Sequence, residues 1–66
     1  MTAISEACEI LGSQTTLSRI LGITNQAVYL WVKKGRVPAE RVLAIEAATG
    51  GQVTRHELRP DLYPDE

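Results

Sequence analysis

Apolar residues recur at helical spacing along most of this chain, in segments that are separated by glycines. In residues 3–11 they stand at positions i, i+3, i+4 and i+7, which places them on one face of a helix. Thr2 can cap that helix and Gly12 can end it. The pattern therefore predicts a first helix with one buried face, which consists of Ile4, Ala7, Cys8 and Leu11.

A second and a third helix are predicted to follow, joined by a tight turn. Ser13 is a good N-cap for a helix over residues 14–21, and Gly22 stands where the end of a helix requires a left-handed residue. Thr24 can cap the next helix, over residues 25–34. Two short helices joined by a glycine turn are the pattern of a helix-turn-helix, in which the second helix enters the major groove of DNA.

The third helix is predicted to have two different faces. The side that is expected to face the core consists of Ala27, Val28, Trp31 and Val32. The outward side consists of Gln26, Tyr29, Leu30 and Lys33. This outward side has hydrogen-bonding groups and no acid, so it is suited to base edges or phosphates. The same pattern also fits a solvated face on a small helical bundle.

The second half of the chain is predicted to be helical as well. Pro38 fits the first turn of a fourth helix, over about residues 39–49. The apolar stripe of that helix consists of Val42, Ile45 and Thr49, broadened by Leu43 and Ala47. A capping-box spacing predicts a short helical turn over residues 54–58. A β-strand starting at Val53 is the alternative, and the all-helical interpretation is preferred.

Charge is distributed unevenly along the chain. The formal net charge is −1, but residues 13–36 contain four basic residues and no acidic one. From residue 42 onward there are two basic residues and five acidic ones. Because an anion docks where the local potential is positive, the total charge does not decide whether the chain can bind nucleic acid. Residues 14–34 are therefore expected to form a basic recognition unit.

Several classes of function find no support in the sequence. Cys8 is the only cysteine and His56 the only histidine, so neither an intrachain disulfide nor a structural zinc site is expected. The chain shows no nucleophile–base pair or phosphate loop, and we expect neither an enzyme nor a cofactor. No secretory signal or membrane-spanning run is evident. We expect one cytoplasmic domain over residues 1–66, with no membrane partner and with a flexible tail over residues 60–66.

The stretch QTTLSRILGITNQAVYLWVKKGRVP resembles the helix-turn-helix of the Cro family of phage repressors. The shared features are the opening Gln14-Thr15, the Leu21-Gly22-Ile23 turn and the Gln26-Ala27-Val28 start of the third helix. With RVPAERVLAIEAATGG and VTRHELRPDLYP, most of the chain resembles phage and prophage Cro-like proteins and the YdaS-type antitoxins. The resemblance implies a lambda-repressor-like helix-turn-helix domain. Such families have helical or β-sheet C-terminal halves, and the stripe in residues 39–49 favours an all-α fold of four to five helices.

The resemblance also implies a sequence-specific repressor that binds double-stranded operator DNA, usually as a homodimer. The expected base-contacting residues are Thr24, Asn25, Gln26, Tyr29 and Leu30. The expected phosphate-contacting residues are Gln14, Thr15, Lys33, Lys34 and Arg36. Two positions depart from the family pattern, since Ser18 stands where alanine is usual and Leu30 where a polar side chain is common. Leu30 would either touch a thymine methyl group or support packing.

Two hypotheses follow from these observations. The first is a Cro-like transcriptional regulator that reads an operator half-site with its third helix. Its dimer surface is expected near Val53, Leu58, Leu62 and Tyr63. The second is an antitoxin-type protein that binds a toxin through its C-terminal segment and autoregulates its operon. Arg55 and Arg59 could contact the DNA backbone, but the nearby Glu57 and Asp61 make local ion pairs the preferred interpretation.

Overall fold

Five α-helices and one short 3₁₀ turn make up residues 2–64, the part of the chain that the computed structural model describes. The elements are α1 (Ala3–Leu11), α2 (Gln14–Leu21), α3 (Asn25–Lys34), the 3₁₀ turn (Ala39–Arg41), α4 (Val42–Ala48) and α5 (Arg55–Leu58). Residues 2–64 contain no β-strand, so the predicted all-α fold is confirmed and Val53 does not start a strand.

The first three helices begin and end where the sequence predicts, because local caps define them. The side-chain oxygens of Thr2, Ser13 and Thr24 each accept a hydrogen bond from a backbone N–H in the first turn. A cap of this kind stabilises a helix by about 1 kcal/mol. Gly22 ends α2 at φ +70°, a left-handed conformation that costs glycine little and other residues more. The helix-turn-helix is therefore encoded locally.

The fourth helix differs from its prediction. In place of one helix over residues 39–49, a 3₁₀ turn is followed by α4, which begins only at Val42. The backbone of Arg41 has φ −106° and ψ −8°, which interrupts a continuous α-helix. Leu43 and Ala47 were expected to broaden the buried stripe, but both are exposed, Leu43 over 48% of its surface. The stripe is narrower than predicted because α4 presents mainly Val42 and Ile45 to the core.

One apolar core joins all five helices. Its members are Ile4, Ala7, Cys8, Leu17, Val28, Val37, Val42, Ile45, Val53 and Leu58. Cys8 packs there as a small apolar residue, and its burial raises the pKa of the thiol above the ordinary value. Within α3 only Val28 is fully buried, while Trp31 and Val32 are half-buried against the edge of the core. The predicted inner side of α3 is therefore confirmed for Val28, Trp31 and Val32, whereas Ala27 lies outside the core cluster.

The expected dimer surface at the C-terminal end is wrong for two of its four residues. Val53 is fully buried and Leu58 is only 5% exposed, so both belong to the core of the monomer. Tyr63 is half-buried against the same core, and only Leu62 is exposed. The buried Thr49 hydroxyl accepts a hydrogen bond from the Val53 backbone N–H at 3.2 Å, which folds this segment inward. A chain this small needs these side chains for its own core.

The C-terminal arginines make ion pairs within the chain. Arg59 donates two hydrogen bonds to the Asp61 carboxylate, at 2.9 and 2.7 Å, as the preferred interpretation predicts. Arg55 pairs instead with Glu46, at 2.9 Å, while the Glu57 carboxylate accepts from the Thr54 backbone N–H in the capping box. Both arginines thus serve the fold.

Further hydrogen bonds hold the chain beyond α5. The Tyr63 carbonyl lies 2.8 Å from Nδ1 of His56, and the Tyr63 backbone N–H donates to the Arg59 carbonyl at 2.9 Å. The flexibility expected for residues 60–66 remains a prediction, and residues 65 and 66 lie outside the described part of the chain.

The fully buried Leu17 should contribute far more to stability than the exposed Ile20 on the same helix. We expect Leu17→Ala to lower the free energy of unfolding by about 2–5 kcal/mol, because it removes buried methyl groups and leaves a cavity. Ile20, which is 52% exposed, is the matched control, and Ile20→Ala should stay within about 0.5 kcal/mol. Urea denaturation followed by circular dichroism measures both. Equal destabilisation by the two substitutions would contradict this packing.

The Arg59–Asp61 pair should make stability depend on pH in the acid range. Hydrogen bonds from Arg59 lower the pKa of Asp61 from an ordinary 3.8 to about 2. Because the folded pKa is lower than the unfolded one, the stabilisation is present above about pH 4 and is lost as pH falls towards 2. Asp61→Asn should therefore flatten the melting-temperature profile in that window. Part of the pH dependence that remains comes from Glu46. Hydrogen bonds from Arg55 lower the pKa of that carboxyl as well. Identical profiles for the variant and the parent would exclude this linkage.

Candidate nucleic-acid interface

The packing of α2 against α3 determines which side of α3 is exposed. Leu17 of α2 and Val28 of α3 are both fully buried in the shared core. After Gly22, the Ile23 backbone N–H donates to the Ser18 carbonyl at 3.0 Å, and the Ile23 side chain packs against the core. This turn fixes how α3 leaves α2. As a result, α3 lies across the surface with one face open to solvent.

The open face of α3 carries the outward residues that helical spacing predicts. Gln26 and Lys33 are exposed, Tyr29 is 52% exposed and Leu30 is 42% exposed. Within residues 2–64, the side chains of Gln26, Tyr29 and Lys33 make no hydrogen bond or ion pair. Leu30 lies outside the core cluster. The face combines an amide, a phenol, an ammonium and an aliphatic group.

The first turn of α3 contains two polar side chains with different local roles. The Thr24 hydroxyl accepts from the Ala27 backbone N–H at 3.2 Å, so it caps the helix while its own hydrogen stays available to a partner. The Asn25 side chain contacts Ser18 across the turn, with Oδ1 of Asn25 lying 2.7 Å from Oγ of Ser18. Sequence reasoning missed this contact. The signal that could have found it is the serine at a helix–helix position where alanine is usual.

The expected phosphate contacts fall into separate groups in the structure. Gln14 and Thr15 form the first turn of α2, where backbone N–H groups and the helix dipole suit an anion. Gln14 is half-buried and lines a groove of about 350 Å³ between α1 and α2, whereas Thr15 is exposed. Lys34 and Arg36 are exposed beyond the open face, beside a groove of about 250 Å³ next to Trp31.

A hydrogen bond holds the backbone that follows α3 against the C-terminal segment. Arg59 donates a hydrogen bond to the Val37 carbonyl at 2.9 Å, and this bond ties the connection after α3 to the C-terminal segment. Asp61 pairs with Arg59 and lies near enough to Arg36 for that charge to help lower its pKa. Arg55 and Arg59 are therefore engaged internally, whereas Lys33, Lys34 and Arg36 are exposed.

The described residues contain neither a metal-binding cluster nor a membrane-spanning helix. Among residues 2–64, no three His, Cys, Asp or Glu side chains are grouped so that they could hold a metal ion. No helix in the same range is long and apolar enough to cross a membrane. Glu46 and Asp61, the acids with lowered pKa values, owe them to hydrogen bonds from arginines that support the fold.

Comparisons with known proteins agree with this geometry. Residues 4–66 match the model of a family described as "Bacterial toxin YdaS". The chain is 44% identical, over 61 residues, to the "Putative transcriptional regulator YdaS" of Escherichia coli K12, and the match covers 91% of this chain but 62% of that protein. It also matches the solved Cro protein from "putative prophage element Xfaso 1" of Xylella fastidiosa strain Ann-1. There the TM-score is 0.94, the identity is 45%, and 98% of this chain and 100% of the other are covered.

Proposed function

Because the chain belongs to the YdaS family and has a Cro-like helix-turn-helix fold, we propose that it is a sequence-specific DNA-binding transcriptional regulator. The observation that carries the proposal is the open face of α3, where Gln26, Tyr29 and Lys33 have no partner within residues 2–64. This face lies in a segment with four basic residues and no acid. A helix that presents hydrogen-bonding groups from a positive surface suits the major groove.

Base reading is proposed for the first turn and the open face of α3. Gln26 has the amide that pairs bidentately with adenine, and Leu30 offers an apolar surface to a thymine methyl group. Tyr29 and Thr24 can donate from their hydroxyl groups to a base or a phosphate. Asn25 completes the set, since its amide lies at the N-terminal end of α3, the end that usually enters the groove.

Phosphate binding is proposed for groups on both sides of that face. The first turn of α2, at Gln14 and Thr15, would receive one phosphate through its backbone N–H groups. Lys33, Lys34 and Arg36 would contact the DNA backbone near the other end of α3. Such contacts set the position of the helix in the groove but carry no base preference.

A homodimer on DNA, acting as a repressor, is part of the same proposal. One copy offers a single recognition helix and few free cations, so a second half-site about one helical turn away would supply the missing affinity. The Cro protein of Xylella fastidiosa supports a regulator of this kind through its close structural match. Of the four residues first expected at the dimer surface, Leu62 is the one that is exposed, with 44% of its surface accessible.

The family description, "Bacterial toxin YdaS", gives weak support to one alternative, an antitoxin-type protein that binds a partner protein through its C-terminal segment and autoregulates its operon. This alternative assigned partner binding to the C-terminal segment, but Val53, Leu58 and Tyr63 pack against the core. Expression in cells distinguishes the two functions. Growth arrest, or its neutralisation, that survives substitution of Gln26 and Lys33 would favour the partner-binding function.

The decisive experiment for the proposed function is selection of bound sites from random double-stranded DNA by the intact chain. The proposal expects enrichment of one motif, with two half-sites about one helical turn apart. Binding of all sequences equally, or of none, would exclude sequence-specific regulation by this chain.

Gln26 should read a base pair within the selected motif. Gln26→Ala is expected to cost about 1–3 kcal/mol of specific binding and to relax the preference at one base pair per half-site. The exposed Gln52 is the matched control, because it lies outside α2 and α3, and Gln52→Ala should leave binding unchanged. Titration against single-base variants of the motif measures both proteins. An equal loss on every sequence would refute base reading by Gln26.

Lys33 should contribute to affinity without contributing to base preference. Lys33→Ala is expected to weaken binding to all sequences and to reduce the slope of log K against log salt by about 0.9 for each phosphate that the ammonium neutralises. Gln52→Glu is the control, since it lowers the net charge by the same amount away from α3. If both variants change the slope equally, Lys33 acts only through total charge and does not contact phosphate.

A further inference from the structure

The Ser18 hydroxyl lies between two polar groups of the helix-turn-helix. Its Oγ is 2.7 Å from the Thr15 carbonyl oxygen within α2 and 2.7 Å from Oδ1 of the Asn25 side-chain amide on α3. Ser18 is buried, with 4% of its surface exposed. Polar groups that are removed from water need hydrogen-bond partners. Each of the two contacts should therefore join a donor to an acceptor.

The chemistry of the three groups allows one arrangement that makes both contacts hydrogen bonds. A serine hydroxyl has a single hydrogen, and the Thr15 carbonyl can only accept. The Asn25 amide has an accepting end and a donating end, and a half-turn about its terminal bond exchanges them. With Nδ2 towards Ser18, Asn25 donates to Oγ of Ser18 while Ser18 donates to the Thr15 carbonyl. With Oδ1 towards Ser18, one hydrogen would have to serve two acceptors.

This arrangement leaves a defined pair of groups free on Asn25. One N–H of the amide is taken by Ser18, which leaves Oδ1 and the other N–H for a partner. When Ser18 takes the N–H that points away from Oδ1, the free pair is an acceptor beside a donor. Adenine presents the matching pair in the major groove, its N6 amino group and N7.

We infer that Ser18 is a positioning residue that orients the Asn25 amide to read adenine. It does not touch DNA and acts only through Asn25. The inference rests on the proposed function. It adds that the base read by Asn25 is adenine and that the Ser18 hydroxyl orients the amide for this contact. Alanine would fit the same space without the hydroxyl, so it would leave the helices packed and the Asn25 amide free to rotate.

The first test uses the free protein. Ser18→Ala removes the hydroxyl and little else, and nitrogen relaxation of the Asn25 side-chain amide reports its mobility directly. The expected result is a restrained amide in the parent protein and a mobile one in the variant, with the urea midpoint of unfolding measured alongside. An amide equally mobile in both proteins would overturn the inference.

The second test uses the selected DNA motif. Ser18→Ala should reduce the preference for adenine at the base pair that Asn25→Ala identifies, by about two- to tenfold, the factor that follows from one hydrogen bond of ordinary strength. The salt slope should stay unchanged. In the Asn25→Ala background, adding Ser18→Ala should have no further effect, because the serine acts only through that amide.

The outcomes separate this inference from the proposed function. Absence of any enriched sequence would overturn the proposed function and adenine reading with it, whatever the amide relaxation shows. An enriched motif with an unchanged adenine preference in Ser18→Ala would overturn the inference alone. So would an equal loss of affinity on all sequences, since that loss would show a purely structural role.

Discussion

The burial of Leu17 against the same core as Val28 is the constraint on which the rest of the surface depends. These two side chains fix α2 against α3, and Gly22 allows the chain to turn between them. Because Val28 is the only fully buried residue of α3, most of that helix is left at the surface. The exposure of its polar face is therefore a consequence of core packing. Trp31 and Val32 pack against the edge of the same core and add to the support of the helix.

The positive charges of the chain divide between folding and the exposed surface. Arg59 connects the Val37 carbonyl with Asp61, which links the end of the recognition unit to the C-terminal segment. Arg55 is held by Glu46 in the same region. The C-terminal half therefore holds the backbone next to Arg36, just beyond α3. This explains how an overall acidic chain can present a basic surface.

Local signals made the first three helices predictable. Thr24 and the caps of the two preceding helices each accept a hydrogen bond from a backbone N–H in the first turn of the helix that follows. Residues close in sequence therefore decide where each helix begins. The same reasoning failed for residues 39–49, where helical spacing predicted one continuous helix and a broad stripe. There the 3₁₀ turn and the exposure of Leu43 depend on how α4 meets the other helices. The C-terminal apolar residues were assigned to a dimer for a similar reason, since spacing cannot tell a monomer core from an interface.

The sequence by itself determined the first three helices, their glycine ends and the outward face that contains Gln26 and Tyr29, because caps and helical periodicity act over a few residues. Only the tertiary structure decided the contacts between distant segments. Arg59 reaches a carbonyl 22 positions away, and Ser18 meets Asn25 across a turn. Such contacts depend on the angle and separation of packed helices, which side-chain volumes in the core set jointly. A one-dimensional pattern names the residues of the outward face, whereas packing decides which of their atoms remain free.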